Sequence, residues 1–137
     1  MKIDAAAMDA IRRHSALGYP FEICGMLVAR KGTRNVIWTW PAPNATTVNP
    51  AVRYQIEPKE HERIERELDR HDLEIVGYYH SHPDHGSYAS EADRLDAWPG
   101  FYYLVASCMA GVVGDVKVFV KPDWDASEMP EEPLEII

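Results

Sequence analysis

Cysteine is scarce in this chain, at two among 137 residues, too few for a disulfide framework or a zinc site built of thiolates. Cys24 and Cys108 each sit in an apolar, strand-like run, where a buried, reduced thiol is the ordinary state. Long hydrophobic runs are missing as well. No window approaches the ~20 apolar residues of a membrane span, and no apolar stretch follows Met1-Lys2-Ile3-Asp4 as a secretory leader would require. A reducing cytoplasm is the expected location. Positive charge is short, with 14 Lys and Arg against 22 Asp and Glu and a formal charge of −8. A general nucleic-acid binder needs a basic surface to meet phosphate, so that class is excluded. Several catalytic signatures are also absent. There is no Gly-x-Ser-x-Gly elbow, no phosphate-cradling glycine loop, no His-Glu-x-x-His helix and no His-x-Glu with Pro-Cys-x-x-Cys.

What is present concentrates between residues 74 and 93. Glu74-Ile75-Val76-Gly77-Tyr78-Tyr79-His80-Ser81-His82 is rich in β-branched and aromatic residues and predicts a strand. Side chains on a strand alternate faces, so His80 and His82 point to one side and can share an ion. Pro83 cannot extend the ladder and ends the strand. A six-residue loop follows, and Ser90-Glu91-Ala92-Asp93 opens a helix that offers Asp93 as an oxygen ligand. Two His and one carboxylate, with a fourth position left to water, is a common catalytic zinc arrangement. Ser90-x-x-Asp93 equally fits a capping box, in which both side chains merely satisfy helix-end amides, and strand-end histidines are often packed or solvated. The joint pattern decides between these readings. His-x-His-Pro, six residues, Ser, two residues, Asp would arise by chance in a chain this long with a probability on the order of 10⁻⁵.

With His80, Ser81, His82, Pro83, Ser90 and Asp93 in place, the chain resembles the JAMM (MPN-plus) metalloproteases, in particular their small prokaryotic type. The resemblance implies a single-domain α/β MPN fold, cytidine-deaminase-like, with a mixed curved sheet flanked by helices. It implies zinc, one per subunit, held by His80, His82 and Asp93. Ser90 would stabilise an oxyanion, and an upstream Glu would serve as general base. Glu22-Ile23-Cys24-Gly25 is similar to that upstream element, and Pro43-Asn44 and Tyr54-Gln55-Ile56-Glu57-Pro58 resemble further landmarks. By residue chemistry alone Glu57, Glu74 and Glu91 are equally legal carboxylates. Glu22 is distinguished by its place at the edge of a hydrophobic run, where desolvation raises a carboxylate pKa toward neutrality.

The activity implied is hydrolysis of a peptide or isopeptide bond at the C-terminal tail, of Gly-Gly type, of a ubiquitin-like or sulfur-carrier protein. The stretch from Asp93 to Phe101 is too short for the large second insertion with which eukaryotic relatives grip ubiquitin chains. A metal-stabilised interaction module and a zinc amidohydrolase of small metabolites are the alternatives, and a homodimer stays open as an assembly.

The rest of the chain reads as one α/β unit, residues 1–121, with an acidic tail at 122–137 whose end, Leu134-Glu135-Ile136-Ile137, can add an edge strand. Asp4 is placed to cap a first helix that stops at Gly18. Ile23–Arg30 and Asn35–Trp40 read as a hairpin, and Arg53–Ile56 as a short strand. A charged helix runs from Pro58 to about His71, with Ile64 and Leu68 as its buried side and His61 and His71 as surface residues. Phe101–Cys108 and Asp115–Val120 read as core strands. Trp38 and Trp40 share a strand face, Trp98 is expected to anchor over the core, and Tyr78 shares its face with the two histidines.

Overall fold

The computed structural model describes all 137 residues as one eight-stranded mixed sheet with three helices. In chain order they are β1 (Lys2–Ile3), α1 (Ala5–Gly18), β2 (Cys24–Arg30), β3 (Val36–Ala42), α2 (Pro58–Asp69), β4 (Leu73–Pro83), α3 (Glu91–Asp96), β5 (Tyr102–Met109), β6 (Val112–Val120), β7 (Glu131–Glu132) and β8 (Glu135–Ile136). The strand order is β7-β6-β5-β4-β2-β3-β1-β8. β2 runs antiparallel to both β3 and β4, while β4 and β5 are parallel.

The sheet is curled nearly closed, and chain connectivity requires it. β7 and β8 flank opposite edges yet are separated only by Pro133 and Leu134. Laid flat, eight strands would hold those edges about 34 Å apart, whereas the chain from Glu132 to Glu135 spans at most about 11 Å. The tail therefore staples one edge to the other. Val120 N–H donates to Pro130 O at 3.1 Å, Glu135 N–H to Met1 O at 3.0 Å, and Ile137 N–H to Ile3 O at 2.9 Å.

Alternation along β2 sorts the core onto two faces. Leu27 and Ala29 pack with Ala7, Met8 and Ile11 of α1. Cys24, Met26 and Val28 face Ile64 and Leu68 of α2, joined there by Tyr78 and Tyr103. A register shift between β2 and β4, at Leu27/Val28, lets Val76 and Tyr79 both serve the α1 side while Tyr78 turns to the α2 side. Gly25 is needed where Tyr79 crosses β2, since a Cβ there would lie 2.4 Å from the Tyr79 ring. Tyr79 is fully buried, and its hydroxyl meets His14 Nδ1 of α1 at 2.8 Å.

Four local expectations need correction. Arg53–Ile56 forms no strand. The Asn44 side chain occupies that segment's backbone instead, donating to Arg53 O at 2.9 Å and accepting from Gln55 N–H at 3.1 Å. Asp4 sits at the N-cap of α1 but makes no side-chain cap bond. His61 is not free on the surface. It is half-buried, with Nε2 2.7 Å from the Tyr78 hydroxyl and Nδ1 2.6 Å from Glu65. Trp98 is 55% exposed rather than anchored over the core. No helix is long and apolar enough to cross a membrane.

Candidate metal centre

The centre forms at the C-terminal end of β4, on the α2 face of the sheet. His80 and His82 leave the strand on the same side, buried at 0% and 6% exposure. Their Nε2 atoms lie 3.1 Å apart, and Asp93 Oδ2 sits 3.2 Å from each. Three donors bound tetrahedrally to zinc at its usual 2.0–2.1 Å would be about 3.3 Å apart, so the triangle fits that ion. The donor set fits it too. Imidazole nitrogens and a carboxylate oxygen are ordinary zinc ligands, and here all three turn toward one point.

The second imidazole nitrogens report on ligand preparation. His82 Nδ1 lies 2.9 Å from Gly86 O. A carbonyl can only accept, which assigns the proton to Nδ1 and leaves Nε2 as the ligating lone pair. Bonds on both sides fix the loop that carries Gly86. Ser107 Oγ donates to His85 O at 2.5 Å, Ser87 Oγ to Asp115 Oδ2 at 2.5 Å, and Asp84 accepts from Ala110 N–H and Tyr19 O–H at 2.8 and 2.6 Å. His80 is oriented by packing. Its ring stacks on Tyr54 at 4.5 Å and 24°, and Nδ1 is the one buried side-chain polar atom without a hydrogen-bond partner.

Asp93 reaches the triangle because α3 begins with a capping box. Ser90 Oγ accepts from Asp93 N–H at 3.0 Å, and Ser90 N–H donates to Asp93 Oδ2 at 2.9 Å. Burial pushes the Asp93 carboxyl up. The neighbouring imidazoles and the Ser90 amide outweigh it and hold the group well below the usual carboxylate range.

Glu22 precedes β2 and is 5% exposed, with a carboxylate oxygen within 4.8 Å of His80 and His82 ligand atoms. Burial raises its pKa, partly offset by the two histidines. Its main chain is pinned, with N–H donating to Pro50 O at 2.8 Å and O accepting from Asn44 Nδ2 at 3.1 Å. Ser81 completes the link. Between the two histidines and fully buried, it accepts from Ile23 N–H at 3.0 Å and returns a backbone bond to Ile23 O at 3.1 Å. The other carboxylates are elsewhere, Glu57 capping α2 and Glu74 accepting from Gly32 N–H, while Glu91 is exposed. Cys24 is fully buried, and burial pushes its thiol up to about 12. Sequence reasoning missed Ser81 as a positioning residue. The available signal was a small polar residue facing the opposite side of a buried strand.

An open groove of about 830 Å³ runs past Asp93, floored by Tyr54, Tyr78 and Tyr103 and rimmed by Arg53, Asp96 and Trp98. A second hollow of about 690 Å³ shares His61, Tyr78 and Trp98 with it.

Residues 4–121 match the family described as prokaryotic homologs of the JAB domain. Over 112 residues the chain is 34% identical to Desampylase of Haloferax volcanii, covering 78% of this chain and 80% of that protein. A solved protein of Desulfitobacterium hafniense superposes with a TM-score of 0.84 at 21% identity, over 99% of this chain and 92% of its own. A JAB1/MPN domain protein from Archaeoglobus fulgidus does so at 0.63 and 18% identity, over 100% and 99%.

Proposed function

The chain belongs to the family of prokaryotic homologs of the JAB domain, and on that premise we propose that it is a zinc-dependent isopeptidase acting at the C-terminal, Gly-Gly-type tail of a ubiquitin-like or sulfur-carrier protein. The chain is a single-domain α/β protein of JAB1/MPN fold and a JAMM-type, metal-dependent hydrolase. The observation that carries the finer reading is one constellation, His80 Nε2, His82 Nε2 and Asp93 Oδ2 at 3.1–3.2 Å with the buried Glu22 carboxylate beside them.

In this reading His80, His82 and Asp93 hold zinc. When bound, the ion would supply Lewis acidity, bringing the pKa of a water down toward neutrality. Glu22 accepts the proton of the attacking water and passes it to the departing amine. Its raised affinity for protons, a consequence of burial, suits both transfers. Ser90 donates its hydroxyl proton to the oxygen that gains charge at the scissile carbonyl, where one well-placed donor is worth roughly 3 kcal/mol. The groove supports a chain-like substrate over a small metabolite, because it reaches from Asp93 to the separate segments around Thr46 and His61. A flexible tail can lie there in extended form, with glycine where the walls approach closely. The Desampylase relative, by its name a conjugate-removing enzyme, agrees with this class.

Glu22→Gln is the direct test. Gln keeps shape and hydrogen-bonding reach but cannot take a proton, so turnover of a Gly-Gly-tailed fusion should vanish while zinc content, read by atomic absorption, stays near one per chain. Loss of zinc would place Glu22 in the coordination shell. Retained activity, or full activity of chelator-stripped protein, would overturn the mechanism.

A further inference from the structure

Beyond the groove lies a surface that the hydrolytic mechanism does not use. Leu95, Trp98 and Trp124 are 61%, 55% and 67% exposed. The Trp98 ring packs against Trp124 at 6.4 Å and Phe101 at 6.3 Å, so the two indoles form one apolar face rather than scattered residues. Single exposed apolar residues are ordinary, but contiguous aromatic patches beside a cleft mark interaction sites, and Trp is enriched among residues that dominate binding energy.

The rim of this face is mostly negative. Glu91, Asp96, Asp123, Asp125 and Glu128 are exposed, and none forms an ion pair. Of the nearby cations, Arg94 and Lys121 are turned to internal work, while Arg53 lines the adjoining groove. The Arg94 guanidinium donates to Ala126 O at 3.2 Å, and the buried Lys121 ammonium donates to Arg94 O at 2.9 Å. Those bonds also tie residues 121–126 to α3, the helix that carries Asp93. Trp98 lines the catalytic groove as well, so the apolar face and the groove are continuous.

We propose that this face docks the folded body of the protein substrate whose tail enters the groove, the partner presenting an apolar patch ringed by lysine and arginine. This rests on the reading of the substrate as a tailed carrier protein. A second copy of the chain is the wrong occupant, because a two-fold contact here would set Asp123 and Asp125 against their own equivalents. A small metabolite would have no use for a surface outside the groove.

The test compares intact, Gly-Gly-ended β-grasp proteins with a short peptide of the same tail, both as C-terminal aminocoumarin amides, cleaved by the zinc-loaded chain. Trp124→Ser and the double change Asp123→Lys with Asp125→Lys should each raise KM for the intact protein roughly tenfold with kcat unchanged. Neither should alter kcat/KM for the peptide. The effect of charge reversal should shrink in about 0.5 M salt, where exposed charges are screened, and that of Trp124→Ser should persist. Calorimetric binding to the Glu22→Gln chain gives the same comparison without turnover, and thermal melts confirm that the variants fold. Unchanged KM in both variants, or an intact protein cleaved no better than its tail peptide, would overturn the docking face and leave the proposed activity standing. Failure of the parent chain to cleave either substrate would remove the proposed activity, and the docking face with it.

Discussion

Ser90 carries two duties on different atoms. Its lone pair is committed to the Asp93 amide at 3.0 Å, which leaves the hydroxyl proton free to donate elsewhere. Ser90→Ala should therefore show both effects. Loss of the cap costs about 1 kcal/mol of stability, and loss of the oxyanion donor lowers kcat by roughly two to three orders of magnitude with little change in KM. Melting temperature and single-turnover rate on one preparation separate the two, and a destabilised but fully active protein would end the catalytic assignment. At this scale the convergence of His80, His82 and Asp93 was legible because it depends on short-range geometry: a strand period of two for the histidines and a helix start for the aspartate. Glu22 was not legible in that way. It arrives beside His82 through antiparallel pairing of β2 with β4, in which Cys24 faces His80, and a pairing register is not written in either strand alone. Resemblance supplied what periodicity lacked.

Among elements, the segment between β4 and α3 does more than connect. It bears the carbonyl that fixes the His82 tautomer, and Ser107 of β5 and Asp115 of β6 hold it from either side of Gly86. Neither residue touches the metal-binding atoms. Replacing both Ser107 and Asp115 with Ala should loosen that carbonyl and weaken zinc binding by about 10- to 100-fold, the usual effect of losing such outer support. Competition with a chromogenic chelator measures this, and nitrogen shifts of His82 should show mixed tautomers in the metal-free variant. Unchanged affinity would mean that strand β4 alone sets the ring. The Arg53–Ile56 segment teaches the converse lesson. Its composition reads as a strand, but one asparagine, Asn44, takes its backbone groups and makes it a wall of the groove, with Tyr54 stacked on His80. Side-chain capture of backbone over nine to eleven residues leaves no periodic trace.

The whole molecule depends on closure. A curled sheet whose edges are β7 and β8 has those edges joined by a two-residue link, so the acidic tail is part of the fold although its composition is that of a solvated segment. Leu134 packs against the α1-side core and Met129 against the α2-side core. Ala5 N–H donates to Ile137 O at 2.8 Å, which ties the last residue to the first turn of α1. Removing residues 129–137 deletes these bonds, each worth about 0.5–1.5 kcal/mol net, together with two apolar contacts, against the entropy returned to nine freed residues. It also bares β6 and β1 as unpaired edges, which invite pairing with another chain. The truncated chain should melt roughly 5–15 °C lower and self-associate in a concentration-dependent way on sedimentation. Because His80, His82 and Asp93 lie in the middle of the sheet, on and beside β4, its zinc stoichiometry should stay near one per chain below the melting temperature. An unchanged melting temperature would show that the curl is maintained by α1 and the central strands alone, with the tail merely resting on edges that need no cover.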